Sequence, residues 1–254
     1  GVCNYSYHYL KVCVKIYLLC NLFMERTPEP ELMESRKQVL SYLEGDFSKG
    51  ENKFIDFIND YLLSNNINLT NEDLIVDLGC GPGNITEKIS VKWPEVSVIG
   101  IDGSNEMIKE AKSRKKLDAN MRSYANINYF CSDIRSIELK EISSKANASL
   151  IVSNSLLHHI ISIDHFFECI SNLSTKETIN FHKDLIRPKD EKTALKLKRK
   201  FNGIYNNTLL DDYYASLKAS YTKNELKQVL SERMLHSLDV IEEGNDYLIL
   251  YGKV

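Results

Sequence analysis

The sequence predicts an α/β protein: a doubly wound, seven-stranded, mostly parallel sheet with a C-terminal antiparallel hairpin, a helical N-terminal extension and a helical lid insertion before the last strands. Three observations carry that expectation. Short apolar runs alternate with ten- to fifteen-residue stretches at helical spacing, the pattern of right-handed βαβ units. A glycine-rich turn follows the first run, and the final two runs meet at a glycine turn that suits a hairpin. At 254 residues, 43% apolar and 26% charged, the composition is that of a globular chain able to bury a full core, so one domain is the simpler reading.

Taken in order, apolar residues recur at helical spacing from Met33 to Phe47 and from Lys53 to Leu63, predicting two helices ahead of the sheet. Strands are expected at Leu74 to Leu78, Val96 to Ile101, Ile127 to Cys131, Ser149 to Ser153 and, more weakly, Thr178 to Phe181. After Arg187-Pro188 come a charged helix, a stretch carrying Tyr205, Tyr213 and Tyr214, and a helix opened by the capping box Thr222 to Glu225. Ser237 to Glu242 and Asp246 to Lys253 form the hairpin, joined through Glu243-Gly244-Asn245. This divides the chain into an extension at 1–23, N-terminal helices at 24–70 covering the site, and a main domain at 71–254 with its insertion at about 188–221.

The extension is rich in Tyr, Cys and aliphatics, and Met24 follows it as a possible natural start. Lys11 and Lys15 interrupt its apolar part, which is shorter than the ~20 residues a membrane span needs. A net charge of −3 gives no global attraction to nucleic acid or anionic lipid. The six cysteines lack metal or disulfide spacing, which points to a reducing, cytoplasmic location.

The chemistry begins at Leu74-Ile-Val-Asp-Leu-Gly-Cys-Gly-Pro-Gly-Asn-Ile-Thr86, a buried strand running through a glycine turn into a helix. Gly79, Gly81 and Gly83 allow positive φ and let backbone approach a ligand at the carboxyl ends of the strands. A dinucleotide fingerprint wants Gly or Ala where Asn84 stands, and the Gly-Lys-Ser/Thr of a phosphate loop is missing. Asp102 ends the second strand, 23 residues after Gly79, where a ribose-binding acid sits in such folds. Asp133 follows the third strand, positioned to accept from an adenine amine.

The region Leu74 to Arg187 resembles the class I, Rossmann-like, S-adenosylmethionine-dependent methyltransferase family. Asp77-Leu-Gly-Cys-Gly-Pro-Gly83 is similar to its first motif, Gly100-Ile-Asp-Gly-Ser-Asn-Glu-Met107 to its second and Ser132-Asp-Ile134 to its third. The resemblance implies a cofactor site made by Asp77, Gly79, Cys80, Gly81, Gly83, Asp102, Gly103, Ser104, Met107, Asp133, Ile134 and Asn154. Within it the glycine loop faces the methionine part, Asp102 the ribose, Met107 one adenine face, and Asp133 with Ile134 the adenine edge. Pro28-Glu-Pro-Glu-Leu-Met33 and Asp184-Leu-Ile-Arg-Pro188 extend the similarity to small bacterial methyltransferases of unassigned substrate.

Methyl transfer from a sulfonium is an in-line displacement that asks mainly for alignment, water exclusion and a base. Ser153-Asn-Ser-Leu-Leu-His-His-Ile160 follows the fourth strand, where this family places groups facing the methyl, making Asn154, His158 and His159 catalytic candidates together with Tyr221. Adjacent histidines point in different directions, so at most one of the pair is expected to face the cleft. Arg187 is a candidate for pairing with a substrate carboxylate, and Tyr42, Tyr213 and Tyr214 are candidates for the substrate walls. No Asn/Asp-Pro-Pro-aromatic motif follows the fourth strand, which favours a small-molecule acceptor. An RNA (tRNA) methyltransferase is the alternative, prompted by the basic runs at 109–116 and 192–200, whose apolar residues at helical spacing make solvated helix faces the preferred explanation. Rivals of another class are a nicotinamide oxidoreductase and a non-catalytic cofactor-binding protein. No metal is expected, and the sequence leaves the oligomeric state open.

Overall fold

A computed structural model of the chain describes residues 24–29, 33, 35–117, 124–145 and 147–254. The 1–23 extension and the expected start of the first helix lie outside or at the margin of these. Helix α1 (Arg36–Leu43) starts at Ser35, whose side chain accepts the Gln38 N–H, and ends early because the chain reverses at Gly45. That reversal stacks Phe47 on Tyr42, ring centroids 4.7 Å apart. Helix α2 (Ser48–Ser64) begins a turn before its apolar pattern does and buries Phe54, Ile55, Ile58 and Leu62 along one stripe.

The sheet holds β1 (Leu74–Leu78), β2 (Ser97–Asp102), β3 (Ile127–Cys131), β4 (Leu150–Asn154), β5 (Ile179–Leu185), β6 (Leu238–Glu243) and β7 (Tyr247–Lys253) in the order β3-β2-β1-β4-β5-β7-β6. The first five strands are parallel, and β7 runs antiparallel to both β5 and β6. Between them lie α3 (Asn84–Lys92), α4 (Asn105–Leu117), α5 (Leu139–Ile142) and α6 (Ile163–Leu173), followed by α7 (Glu191–Arg199), α8 (Asn207–Ala219) and α9 (Lys223–Glu232). Side chains of β1 alternate across the sheet as a strand requires. Leu74, Val76 and Leu78 pack with Phe166, Phe167 and Ile170 of α6 and Leu226 of α9; Ile75 packs with Phe54 and Ile58 of α2 and Ile85 and Ile89 of α3. Burying each large apolar side chain stabilises the layer by roughly 1.5–3 kcal/mol.

Two features matter for the site, the first a departure from the sequence reading and the second in agreement with its doubly wound sheet. Strand β5 continues past Phe181 through His182, Lys183, Asp184 and Leu185, all buried. Their polarity ends the apolar pattern, but pairing with β4 on one side and β7 on the other keeps the backbone extended. The strand order also reverses between β1 and β4, so the crevice outside their carboxyl ends is the topological switch point where open α/β sheets bind ligands.

Candidate functional site

Both walls of that crevice are turns that leave a buried strand. On one side β1 runs into the glycine turn. Gly79 has φ +65°, and a Cβ there would stand 2.7 Å from Leu156 Cδ1, so the turn approaches the β4 side at a distance only glycine allows. Gly83 (φ +94°) opens α3 and packs under Tyr129, whose Oη would lie 2.3 Å from an added Cβ. Asp102, at the end of β2, accepts the Gly81 N–H at 2.9 Å on one carboxylate oxygen and the Ser104 N–H at 2.7 Å on the other. Burial pushes its pKa up, and the two N–H donors partly counter this. Asp77 is fully enclosed and accepts from Thr86 Oγ1 at 2.6 Å; burial raises its pKa to about 7.

A continuous cavity of about 230 Å³ joins these groups to the turn after β4 and to the helical insertion. Of the cofactor residues expected from sequence, Asp77, Gly79, Cys80, Gly81, Asp102, Gly103, Met107, Asp133, Ile134 and Asn154 line it. Gly83 and Ser104 do not. Gly83 serves the turn, and Ser104 Oγ donates to the Met33 carbonyl at 2.8 Å, tying the N-terminal segment to the start of α4. Asp133 caps the short turn Ile134–Ser136 and is gripped by the Arg135 guanidinium, which holds its carboxyl below the usual range. Asn84, the residue that departs from the dinucleotide pattern, donates to Glu51 at 2.9 Å and accepts from Arg114 at 2.6 Å, locking α2 to α3 and α4. These residues fit S-adenosylmethionine. Asp102 is a fixed carboxylate with acceptor capacity left for ribose hydroxyls, and the space around Gly81 is open, with nothing within 4 Å of an added Cβ.

The β4 side differs from expectation. Ser155 adopts φ +61° without being glycine, and a 3-10 turn at Leu157–His159 follows. That tight turn brings both imidazoles to the cavity, with ring centroids 4.3 Å apart, where one was expected. His158 is 3% exposed; its Nδ1 lies 2.5 Å from Asp184 Oδ1, and its backbone N–H donates to Asp184 Oδ2 at 3.1 Å. Burial works against the imidazolium, but the Asp184 and Glu29 charges outweigh it, and the net effect raises the His158 pKa. Glu29 Oε1 sits 3.5 Å from His158 Nε2 and 3.4 Å from His159 Nδ1, and accepts from Ser216 Oγ at 3.0 Å.

Three candidates lie elsewhere. Arg187 does not line the cavity; its guanidinium donates to the carbonyls of Met24 and Ser220, both at 2.9 Å, and pairs with Glu225 at 2.5 Å. All its donor edges face protein, which leaves no fork for a substrate carboxylate. Tyr221 stacks under Arg26, 4.1 Å from guanidinium carbon to ring centroid, and Tyr214 packs beneath Lys198 and Lys218. Tyr42 and Tyr213 do line the cavity, beside Phe47, Phe201, Tyr205 and Tyr247.

Sequence reasoning missed Glu29, Lys183 and Asp184. Lys183 is 1% exposed in the cavity wall, donates to the Gly50 carbonyl at 3.0 Å, pairs with Glu243 and lies 4.7 Å from the Tyr247 ring centroid. Burial lowers its pKa, and Glu243 opposes the shift. Asp184 was visible only as part of the Asp184 to Pro188 motif. Glu29 was likewise visible only as part of the Pro28 to Met33 motif, and it meets the histidines across about 130 residues of chain.

Comparison with known proteins agrees with this geometry. Residues 75–175 match the family model of the methyltransferase domain. Over 164 residues the chain is 28% identical to the malonyl-[acyl-carrier protein] O-methyltransferase of Bacillus anthracis, covering 61% of this chain and 52% of that one. Over 55 residues it is 46% identical to the trans-aconitate 2-methyltransferase of Rhodopseudomonas palustris (strain HaA2), covering 20% and 22%. The matched segments thus span about half or less of these relatives' length. Among solved structures, the plantazolicin methyltransferase BpumL in complex with a pentazolic desmethylPZN analog and SAH superposes with a TM-score of 0.65 at 19% identity, covering 86% of this chain and 90% of that one. A SAM-dependent methyltransferase from Aquifex aeolicus gives 0.58 at 16%, covering 85% and 97%. Residues 75–175 thus match the methyltransferase domain, and the strand order and glycine turn are those of the fold that these solved methyltransferases share.

Proposed function

We propose that the chain transfers a methyl group to a small organic acid with an apolar or aromatic body. The observation that carries this is the single cavity running from Asp102 and Met107, past Asn154 and the histidine pair, to the rings of Tyr42, Phe47, Tyr205, Tyr213 and Tyr247. Bound S-adenosylmethionine supplies an electrophilic methyl carbon next to a sulfonium. The chain supplies the rest: Asp102 holds the ribose, Gly79 and Gly81 bring backbone to the methionine part, and the aromatic rings exclude water from the acceptor.

Such a cofactor would supply the methyl carbon for an in-line displacement, and the chain's part would be to hold the acceptor in line with it. A carboxylate acceptor is already ionised at neutral pH, so His158 and His159, which line the cavity, serve to position it against the methyl carbon rather than to take a proton. Lys183 takes the role that sequence assigned to Arg187. Two of its three N–H bonds serve Gly50 and Glu243, and the third is available to an acceptor carboxylate. The names of the two relatives, each describing methylation of a carboxylate-bearing compound, support the substrate class.

The basic runs support a small molecule over RNA. Lys109 pairs with Glu106, Lys198 with Asp211 and Lys200 with Asp246, as solvated helix faces do. Among the described residues no helix is long and apolar enough to cross a membrane, and Cys80, Cys131 and Cys169 are free thiols, in keeping with a cytosolic enzyme. The test is formation of S-adenosylhomocysteine with a panel of aromatic and aliphatic acids. Turnover with at least one acid, reduced in Lys183→Met, is expected; turnover with tRNA alone would overturn the reading.

A further inference from the structure

We propose that Glu29, His158 and His159 form a three-ligand site for a divalent transition-metal ion, with its open position toward the acceptor cavity. The three donor atoms, one from each side chain, all lie within 4.8 Å of one another. The carboxylate oxygen stands 3.5 Å from His158 Nε2 and 3.4 Å from His159 Nδ1. Ligands bound tetrahedrally at 2.0–2.1 Å are about 3.4 Å apart, so an ion fits between these atoms with small adjustment.

The surroundings are those of a supported site. Asp184 engages Nδ1 of His158 and thereby fixes the ring with Nε2 directed at Glu29, the carboxylate–histidine–metal relay of metalloproteins. Ser216 Oγ from α8 steadies the glutamate. Two enclosed carboxylates, Glu29 and Asp184, face two imidazoles with the Arg26 guanidinium beside the turn, and this negatively biased donor set suits a cation. Imidazole and carboxylate together suit Zn²⁺ and its first-row neighbours rather than Mg²⁺ or Ca²⁺. Among the described residues three protein side chains meet here, the number that catalytic rather than structural zinc sites use. Both histidines line the acceptor cavity, so the free position is open to an oxygen of the acceptor.

Glu29 arrives from a separate part of the chain, on the segment 24–29. That segment is pinned by Met24 N–H to the Lys189 carbonyl, by Thr27 N–H to the Lys218 carbonyl and by Arg26 to the carbonyls of Ala219 and Ile160. An ion there clamps this segment to the turn after β4. The role of the ion in orienting an acceptor rests on the function proposed above; its binding does not.

The experiment therefore reads binding and not turnover. Chelator-treated protein is titrated with Co²⁺ and followed by its visible ligand-field bands, then with Zn²⁺ in competition. One equivalent of Co²⁺ displaced by Zn²⁺ is expected. Glu29→Gln and His159→Ala should each weaken binding at least about 100-fold and Asp184→Asn about 10- to 100-fold, while the exposed His236→Ala binds as wild type. Circular dichroism confirms that each variant is folded. Absence of stoichiometric binding, or wild-type affinity in both Glu29→Gln and His159→Ala, overturns the site and leaves the methyl-transfer reading untouched.

Discussion

Replacing Arg187 with alanine decides whether that guanidinium recognises an acceptor or holds the chain together. The side chain is 8% exposed and has three protein partners. Its removal strips the donor from two carbonyl oxygens, those of Met24 and of the fully buried Ser220. A buried acceptor left without a partner costs about 1–3 kcal/mol. Glu225, 39% exposed, keeps the Thr222 N–H and O–H as donors, so its share is discounted for solvent screening. The expected total is about 3 kcal/mol, which lowers the melting temperature by about 6–12 °C for a domain of this size. Thermal unfolding followed by circular dichroism measures this, and acceptor KM is read in parallel well below the transition. Arg187→Ala should melt early with acceptor KM little changed. A variant that melts with the wild type but raises KM more than about tenfold would refute the reasoning and return Arg187 to the acceptor site.

Asp102→Asn places an amide N–H against one of the backbone donors, Gly81 or Ser104, and removes a charged acceptor for the ribose. Affinity for S-adenosylhomocysteine should fall by about 2–3 kcal/mol, roughly 30- to 150-fold by titration calorimetry; a change under about threefold would count against the ribose assignment. Asp77 gives a pH signature. Its pKa is raised from 3.8 to about 7 in the fold, so the native state holds a proton that the unfolded chain has lost. Its contribution is therefore fully present below pH 3.8 and is lost as pH rises through 7, roughly 4 kcal/mol at most. Asp77→Asn keeps an acceptor for Thr86 and should flatten that fall in cofactor-free protein. Equal slopes of stability against pH in variant and wild type would show that Asp77 ionises normally.

The cofactor half was legible in the sequence because its chemistry is local. A strand, a glycine turn and a helix are contiguous, Asp102 ends the short apolar-rich β2, and Asp133 follows β3 by two residues. Strand positions fell within a residue or so for the same reason, apart from β5, where His182, Lys183 and Asp184 imitate a solvent-facing end. Their burial is decided by β7 pairing from far along the chain, by Phe166 and Ser153 around His182, by His158 against Asp184, and by the cavity wall that Lys183 joins.

The other end of the cavity was legible only in part: Tyr42, Asn154, Tyr213 and the histidine pair line it as the sequence suggested. Arg187 and Tyr221 look like ligands in one dimension, and only packing shows Arg187 joining residue 24 to residues 220 and 225, with Tyr221 covered by Arg26. The histidine pair was visible, but the 3-10 turn that directs both rings to the cavity, and the Glu29 that meets them there, are set by tertiary contacts. Apolar periodicity and glycine placement fix the sheet, its switch point and the cofactor turn, because these depend on neighbours in the chain. The charges around His158 and His159 depend on which distant segments the finished core brings together, and that is determined by the tertiary structure alone.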